Sequence, residues 1–539
     1  AASNNTGFGN EVFDDLTSGD NNTGMGAGAL DKVTTGSGNT AIGPDALGAA
    51  TTHSNNTAVG LDTLKANIAS DNTAIGSGAL TANTTGTNNT AVGFAALDAN
   101  TTANNNTAVG DGSLGANTTG AGNTAMGADS LAANTTADDN TAIGLDTLKA
   151  NTTGANNVAI GRDALVANTT ASSNVAVGME SLKTVTTGTG NVAVGFQALK
   201  TNAANFNTAV GHEVLESTTT GTENTAMGVG AMKANTTGST NVAIGTSALD
   251  ANTTASNNTA IGGSSLGLNT TGTENTGVGS GSLRTNSTGN YNTAVGYECL
   301  RLSTTSSENT AMGYYALGAN TTGANNTAVG SQALDANTTA SNGTAVGKGA
   351  LTSNTTGDSN TAVGFNVLGA NTTGTANTAV GHNTLDANTT AHSNSAFGYN
   401  ALTSNTTGTL NVAVGSECMS DNTTGTYNTA VGENSLHANT TANDNTAVGY
   451  NALNVNTTGA GNTAVGIYAL DANTTASSNT AVGKFALTAN TTGNHNTCLG
   501  VSSGDAITTG VQNIMVGSSA SVSAVDAGNQ TVIGYNLTS

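Results

Sequence analysis

Charged and aromatic side chains are scarce in this chain. Of its 539 residues, 8% are Asp, Glu, Lys or Arg and 3% are Phe, Tyr or Trp, with no tryptophan. A thick globular core needs many large apolar side chains, so the composition excludes one and leaves only a thin core repeated by stacking. The net charge of -22 leaves no basic face for phosphates, so nucleic acid is not an expected partner.

Long apolar runs and clusters of metal-binding residues are also missing from the sequence. No segment is apolar over the length of a membrane span, so direct membrane insertion is not expected. None of the six histidines has a second histidine or cysteine at ligand spacing, so neither a metal site nor a cofactor is expected. A catalytic site needs unlike residues that converge on one point, and repetition works against this. We therefore expect no enzymatic activity.

What the chain does have is one repeated unit. The glycine of NTAVG recurs from Gly9 to Gly534 in 32 repeats, at steps of 17 residues except for two steps of 16 that end at Gly76 and Gly211. The unit is N-T-A-V-G-x-x-A-L-x-A-N-T-T-(G/A)-x-x, and positions are counted from its first asparagine. Residue 1 already lies in a degenerate repeat, which suggests a piece of a longer chain.

A fixed short period over several hundred residues is typical of a solenoid. Seventeen residues are too few for a helix pair, and Thr, Val, Asn and Gly favour strands and turns. The sequence predicts an all-β solenoid, a parallel β-roll or β-helix of about 32 stacked coils. We expect a single array over residues 1–539, with degenerate terminal repeats at about 1–38 and 501–539. At about 4.8 Å per coil the rod would be roughly 150 Å long.

Two apolar columns are expected to form the core. Position 2 changes to valine in repeats such as those of Val158 and Val412, and position 4 is always Val, Ile, Met, Leu or Phe. This period of two predicts a strand whose positions 2 and 4 face the core. Position 9, which is Leu or Met in nearly every repeat, predicts the second core column. A second short strand around A-L-x-A or N-T-T is expected to complete each coil, after a turn at the marker glycine.

Polar columns are assigned by the same logic. Stacked asparagines at positions 1 and 12 are expected to form amide ladders along the axis. Charged residues fall almost wholly at positions 6, 7, 10, 16 and 17, which therefore mark the outer surface. Cys299 and Cys418 at position 8 and Cys498 at position 3 replace alanine, so we interpret them as small apolar substitutes. An intermolecular disulfide stays open as an alternative.

Position 3 stays small along the whole chain, as alanine in most repeats and glycine at Gly7, Gly24 and Gly277. On the assumed outer face of the strand, a small column suggests close approach by another layer of backbone. This favours self-association, most plausibly as a parallel homotrimer. Packing inside a single coil would also keep the position small.

Aromatic residues cluster just after the marker glycine, at position 6. They are candidate contacts for the sugar rings of a receptor glycan, although a ring that covers a glycine corner explains the pattern equally well. The residues are Phe94, Phe196, Tyr297, Tyr314, Phe365, Tyr399, Tyr450 and Tyr535.

Two further surface hypotheses come from the N-T-T of positions 12 to 14. It forms an N-x-S/T glycosylation acceptor in most repeats, as at Asn83, Asn100, Asn117, Asn134, Asn151 and Asn168, and the alternative is that these are structural ladder residues. Stacked threonines at about 4.8 Å spacing would also give a regular array of methyl and hydroxyl groups, as ice-binding solenoids present. Threonine is also simply a good strand former.

The motif NTAVGxxALxANTTG resembles the repeat arrays of long bacteriophage tail fibres and of tail-fibre-like bacterial surface proteins. It is more loosely similar to the head repeats of trimeric autotransporter adhesins. The likeness covers essentially the whole chain, and residues 528–536 look like the segment that often ends such arrays. The resemblance implies a parallel β-roll, commonly trimeric, that holds a binding tip away from a particle or cell.

These observations together predict a non-enzymatic structural protein, an extracellular fibre or filament shaft on a cell surface or virion, with adhesion as a further role. The alternatives are a phage tail-fibre shaft that presents a receptor-binding tip and an ice-binding solenoid with threonine arrays. Expected partners are copies of the same chain, as a homotrimer or in end-to-end or lateral filaments, and a cell-surface glycan or receptor.

Overall fold

The structure is a computed structural model that describes residues 2–539. The chain divides into two compact units, Ala1–Thr271 and Gly272–Ser539, and each is a parallel β-solenoid. No helix occurs in residues 2–539, and hence none that could span a membrane. The predicted fold class is confirmed; that the whole chain forms one array stays a prediction.

Each coil contains one short strand. In the first unit the strands are β1 Thr6–Phe8, β2 Thr23–Met25, β3 Thr40–Ile42, β4 Thr57–Val59, β5 Thr73–Ile75, β6 Thr90–Val92, β7 Thr107–Val109, β8 Thr124–Met126, β9 Thr141–Ile143, β10 Val158–Ile160, β11 Val175–Val177, β12 Val192–Val194, β13 Thr208–Val210, β14 Thr225–Met227, β15 Val242–Ile244 and β16 Thr259–Ile261. In the second unit they are β17 Thr276–Val278, β18 Thr293–Val295, β19 Thr310–Met312, β20 Thr327–Val329, β21 Thr344–Val346, β22 Thr361–Phe365, β23 Thr378–His382, β24 Ser395–Tyr399, β25 Val412–Val414, β26 Thr429–Val431, β27 Thr446–Val448, β28 Thr463–Val465, β29 Thr480–Val482, β30 Thr497–Leu499, β31 Ile514–Val516 and β32 Thr531–Ile533.

Successive strands pair in parallel within each unit, with equivalent residues side by side. Thr90, Ala91 and Val92 lie opposite Thr107, Ala108 and Val109, and the same register holds from β1 to β16 and from β17 to β32. Backbone hydrogen bonds between coils continue beyond the strands; for example, the Leu97 N–H donates to the Ser113 carbonyl at 2.9 Å. The ladder therefore follows the whole circumference of a coil.

The predicted second strand is wrong. In the coil of residues 89–105, Ala95, Leu97 and Asn105 have φ values of 48°, 57° and 61°, and the equivalent positions 7, 9 and 17 are left-handed in nearly every coil. Left-handed residues break the extended conformation that a strand requires. The chain therefore turns through positions 5 to 17 as a series of bends.

The predicted facing of the strand is also wrong. The alanine of position 3 points inward, since Ala91 and Ala108 are fully buried, while position 4 points outward and Met126 is 46% exposed. Position 2 shares that outer face, so Thr90 is only partly buried. The small inner column brings the strand close to the rest of its own coil. Packing within the coil thus accounts for the small size of position 3, which therefore gives no support to a homotrimer.

The core column at position 9 is confirmed. Leu97 and its equivalents are fully buried beside the alanines of positions 3, 8 and 15, and the asparagines of positions 1 and 12 complete the interior. The charged columns lie outside as predicted, since no Asp, Glu, Lys or Arg side chain within residues 2–539 is buried. The core is one leucine thick.

The two 16-residue repeats lose an exposed residue rather than a core residue. In the coil of residues 56–71, Ile68 alone replaces the threonine pair, yet Asn67 and Ala69 stay buried. In the coil of residues 191–206, Ala203 does the same between the buried Asn202 and Ala204. The register of the strands on either side is unchanged. Single deletions at positions 13 and 14 therefore cost the stack little.

Replacing Leu334 with alanine is expected to lower the free energy of unfolding around its coil by about 2 to 5 kcal/mol. Leu334 is 1% exposed, and a one-leucine core has no second layer that could fill the cavity. Because each coil contacts only its neighbours, the loss of amide hydrogen-exchange protection should stay within adjacent coils. Thr339→Ala at an exposed position is the control. Deprotection spread evenly over residues 272–539 would contradict this expectation.

Candidate functional site

The asparagine ladder at position 12 is confirmed and lies inside the coil. The Asn100 Nδ2 donates to the Oδ1 of Asn83 at 2.8 Å, and the Asn117 Nδ2 donates to the Oδ1 of Asn100 at 3.2 Å. Asn100 also donates to the Ala103 carbonyl of its own coil at 3.2 Å. Each carboxamide therefore bonds to the asparagine of the neighbouring coil and to a carbonyl of its own coil. These bonds satisfy the pairing that a buried polar group requires.

The asparagines of position 1 form a second ladder, which also helps to close each coil. The Asn89 Nδ2 donates to the same Ala103 carbonyl at 2.8 Å, and the Asn106 N–H donates to the Asn89 Oδ1 at 3.0 Å. Two side chains of one coil therefore converge on one carbonyl from opposite ends of the repeat. The predicted ladders are the device that closes the ring and sets the stacking register.

The six candidate glycosylation asparagines belong to the position 12 ladder. Asn83, Asn100, Asn117, Asn134, Asn151 and Asn168 are all 0% exposed. The Nδ2 atom of each, which would carry the sugar, donates to the asparagine of the preceding coil. Glycosylation stays a prediction, but the folded coil holds the acceptor atom where a transferase cannot reach it.

The aromatic residues of position 6 lie on the outer surface, and several of them stack along the axis. Tyr297 and Tyr314 have ring centroids 5.7 Å apart and nearly parallel planes, at 11°. Phe196 stacks on His212 at 5.1 Å. The rings within such a pair cover each other's faces, so they offer mainly edges to a ligand.

A three-ring ladder coincides with the widest part of the sheet. His382 stacks between Phe365 and Tyr399, at 5.2 Å and 5.5 Å. These three residues end β22, β23 and β24, the only strands of five residues among those described. Phe397 also points outward from β24 and is 40% exposed. Together they form an aromatic surface, which we call the ring platform, defined by Phe365, His382, Phe397 and Tyr399.

Other candidate aromatics stand apart from the platform. Phe94 is 67% exposed and contacts no other aromatic ring within residues 2–539. Tyr450 meets Tyr468 edge to face, with ring centroids 5.4 Å apart. Tyr535, which is 80% exposed, and Phe94 are thus the candidates with the most open rings.

Several further aromatic residues at the surface, of which Tyr315 and Tyr468 are half-buried, are not among the candidates from the sequence. Tyr315, Tyr468 and Phe485 occupy position 7, and Phe206, Tyr291 and Tyr427 occupy position 17. The charged residues found at positions 7 and 17 in other repeats predict that these positions lie on the surface. The sequence therefore contained the information needed to place these rings there. The Phe206 ring covers Gly190 of the preceding coil, where an added Cβ would lie 2.8 Å from Cδ1. This ring covers a glycine at position 17; that the position 6 rings cover the marker glycine stays a prediction.

The two threonines of each N-T-T motif have different roles: position 13 bonds to the next coil, and position 14 faces the solvent. The Thr321 Oγ1 donates to the Thr338 carbonyl at 2.9 Å, and the same bond recurs at position 13 along both units. Position 14 is exposed, and every coil from Thr288 to Thr509 carries threonine there. The position 13 hydroxyls fix the spacing of this exposed column.

Charged side chains pair between positions 7 and 10 on the outer surface. Lys149 at position 10 lies 2.8 Å from Asp146 of its own coil and 2.9 Å from Asp129 of the preceding coil. These hydrogen bonds, that to Asp146 first, raise the pKa of Lys149 above its usual range. Likewise, hydrogen bonds from Lys183 and then Gln197 lower the pKa of Glu180 to about 2. The lysines of position 10 therefore join neighbouring coils, at sites near solvent where such pairs stabilise little.

The three cysteines lie inside the coil, as expected of small apolar substitutes. Cys299, Cys418 and Cys498 are each fully buried. Burial raises the pKa of Cys418 to about 11 and that of Cys498 to about 12. Within residues 2–539 no three His, Cys, Asp or Glu side chains come together as metal ligands would.

One shallow cavity occurs on the first unit, with a volume of about 190 Å³. It lies between coils at position 10, over Gly48, and its walls include Asp31, Asp45 and Lys65.

No protein-family model and no curated protein sequence matches this chain.

Proposed function

We propose that the chain is the structural shaft of an extracellular fibre or filament, with no enzymatic activity. One observation carries this proposal, namely that equivalent residues of successive coils lie side by side through β1 to β16 and again through β17 to β32. The buried asparagines are used to join one coil to the next. A stack of this kind keeps a fixed spacing and adds stability with every coil.

Electron microscopy of the purified protein tests the shaft proposal. We expect thin particles of uniform length or longer filaments, whose width and symmetry distinguish single chains from trimers. Binding activity, where present, should map to an end of the particle. Compact globular particles would overturn the proposal.

Self-association of the shaft is proposed through the outer face of the strands, which we call the outward stripe and define as positions 2 and 4. No repeat carries a charged residue at either position, in a chain of net charge -22. Val346 and Val414 are each 37% exposed, and their neighbours form a continuous apolar column within the second unit. Uncharged, partly apolar surface of this extent is typical of a protein interface.

The variant Val346→Lys/Val414→Lys tests this interface. Both residues point to solvent, so coil stability should change little, while two charges in the contact should drive the assembly toward monomers in analytical ultracentrifugation. Thr356→Lys/Thr424→Lys, on the exposed position 14, is the matched control. Equal molar masses for the parent and the stripe variant would refute association through this face.

An adhesive role would use the exposed rings. Stacking of aromatic rings on sugar faces requires an open ring, and Tyr399 closes one end of the ring platform with a 51% exposed side chain. Replacing Tyr399 and Tyr450 with serine should weaken binding to cell-surface glycans and leave the circular dichroism spectrum unchanged. Unaltered glycan binding by the double variant would remove these two rings from the proposal.

Ice binding is the second candidate function, favoured by the threonine columns. The position 13 hydroxyls are held by the next coil, and the exposed position 14 column is uninterrupted from Thr288 to Thr509. A rigid, evenly spaced array of hydroxyl and methyl groups could order a surface layer of water. Thermal hysteresis that disappears in Thr356→Tyr/Thr373→Tyr would support this function, and no hysteresis in the parent protein would exclude it.

A further inference from the structure

Position 10 contains aspartates that lack the partners found elsewhere in that column. Asp31, Asp98, Asp250, Asp335 and Asp386 are partly buried, and no side chain donates a hydrogen bond to any of them within the described residues. By contrast, Asp471 at the same position accepts a hydrogen bond from Thr488 at 2.6 Å. The five form a set of their own.

Each of the five has glycine at position 10 of an adjacent coil. The neighbours are Gly48, Gly115, Gly267, Gly318 and Gly369, and these are all the position 10 glycines of the chain. A Cβ added to Gly318 would lie 2.7 Å from the Asp335 Oδ1, and one added to Gly369 would lie 2.5 Å from the Asp386 Oδ1. Gly318 and Gly369 therefore provide the space in which the carboxyl group lies against the coil. At Gly115 and Gly48 the corresponding distances, 3.4 Å from the Asp98 Oδ1 and 3.8 Å from the Asp31 Oδ1, are ordinary contacts, and at Gly267 the nearest atoms belong to Ser264 and Ser247. We call each of the five pairs an Asp–Gly joint.

The aspartates of the joints have no acid at position 7 of their own coil. Where position 10 is lysine, position 7 of the same or the preceding coil is acidic, as in the pairing of Lys65 with Asp62 and Asp45. Where position 10 is one of the five aspartates, position 7 of the same coil is Gly, Ala, Ser, Gln or Asn. Each carboxyl group is thus packed against backbone and small side chains, and an ionised one is compensated there only by backbone N–H groups or a nearby cation, not by a side-chain hydrogen bond.

We propose that the Asp–Gly joints make the stacking of their coils acid-responsive, so that mild acid strengthens the contact between the two coils of each joint and neutral pH weakens it. The joints recur in both units, three in Ala1–Thr271 and two in Gly272–Ser539. This inference does not depend on the proposed function.

The direction in which stability changes with pH follows from the protonation equilibrium. Burial raises the pKa of Asp98, Asp250, Asp335 and Asp386, and that of Asp31 as well. A carboxyl whose pKa is higher in the folded than in the unfolded state binds protons preferentially when folded. Its contribution to stability is full below the ordinary Asp pKa of about 3.9 and is lost as the pH rises through the raised value.

The five aspartates have different charged neighbours, and those with none are the best residues for testing the proposal. Lys32, Asp15 and Asp45 face Asp31, Lys233 faces Asp250, and Arg301 faces Asp335. Asp98 and Asp386 face no charged group in residues 2–539, only backbone N–H groups, of Ala99 and Asp98 for the former and of Gly369 for the latter. Asp386 and Asp98 therefore report the joint without a competing ion pair.

Local hydrogen exchange at pH 7 and pH 4, corrected for intrinsic rates, tests the proposal on the full chain. In the parent protein the local opening constant of the coils around Asp386 should fall by about threefold or more from pH 7 to pH 4. In Asp386→Asn this pH dependence should disappear, and protection at pH 7 should already be high. Asp98→Asn should behave in the same way in the other unit.

Asp471→Asn is the matched control, because it removes one negative charge from the same column at a site with a side-chain donor. It should not raise protection at pH 7. The proposal is overturned if Asp386→Asn and Asp98→Asn keep the parent's pH dependence. An equal gain of protection in Asp471→Asn would also overturn it, because general charge repulsion would then be the cause.

Discussion

Replacing Gly43 with alanine is expected to lower the free energy of unfolding around its coil by about 3 kcal/mol or more. Gly43 is the marker glycine, with φ at 135°, a conformation that residues with a side chain rarely adopt. A Cβ built there would lie 2.6 Å from the carbonyl carbon of Gly60 in the next coil. Since that atom belongs to the backbone, the two coils must separate to admit the methyl group.

The same coil offers a matched control for this prediction. Gly48 has no positive φ, and a Cβ there would first meet the Asp45 carbonyl oxygen at an ordinary 3.4 Å. Gly48→Ala should therefore change the free energy of unfolding by less than about 1 kcal/mol. Hydrogen exchange in the first unit measures both variants. Similar effects of the two substitutions would contradict the assigned role of the marker glycine.

The substitution Asn337→Asp is expected to cost about 3 to 5 kcal/mol at pH 7, because it places a carboxylate in the buried ladder. Asn337 is fully buried; its Nδ2 donates to the Asn320 Oδ1 at 2.9 Å and to the Ala340 carbonyl at 3.0 Å. A carboxylate has no donor, so it would face two oxygens that it repels. Protonation restores one donor, and the loss should shrink as the pH falls toward 4.

Asn325→Asp is the control for the ladder prediction. Asn325 lies at the exposed position 17 of the preceding coil, where aspartate also tolerates the observed φ of 59°. Local stability from hydrogen exchange should distinguish the two variants at pH 7. If Asn337→Asp were as stable as Asn325→Asp, the position 12 ladder would not be holding the coils together.

Much of the fold could be predicted from the sequence because its columns are chemically distinct. The Leu or Met that recurs at position 9 in nearly every repeat has only one place that keeps it from water, so its burial follows from the repeat pattern, as at Leu97. Asparagines that recur at one position in most repeats can be satisfied in a dry interior only by each other and by backbone, as Asn100 is. The charged columns marked the exterior for the same reason.

The facing of the strand could not be read from its apolar pattern, because three residues are too few for alternation to decide. Valine at position 4 is apolar but points outward, while the small alanine of position 3 fits the narrow interior. The useful signal was the kind of substitution tolerated at position 3. Cys498, Met515 and Val532 replace alanine there, all apolar and all buried, whereas no charged or amide residue does.

The second strand is missing because several residues of the coil have positive φ, which the amino-acid composition does not indicate. Leucine is not a residue that favours positive φ, yet Leu97 has φ at 57° because its side chain reaches the core from that bend. The Asp–Gly joints were hidden as well, since they depend on which residues neighbour each other across coils. Only the register of the stack brings Asp386 to Gly369.

The central claim is that each 17-residue repeat forms one coil whose side chains lie directly over those of the next. Cryo-electron microscopy of the purified protein at side-chain resolution tests this most directly. The account predicts an axial step of about 4.8 Å per repeat, with the position 9 leucines superimposed inside and the position 4 residues outside. Density in which successive repeats point in unrelated directions, or in which position 4 lies inside, would contradict it.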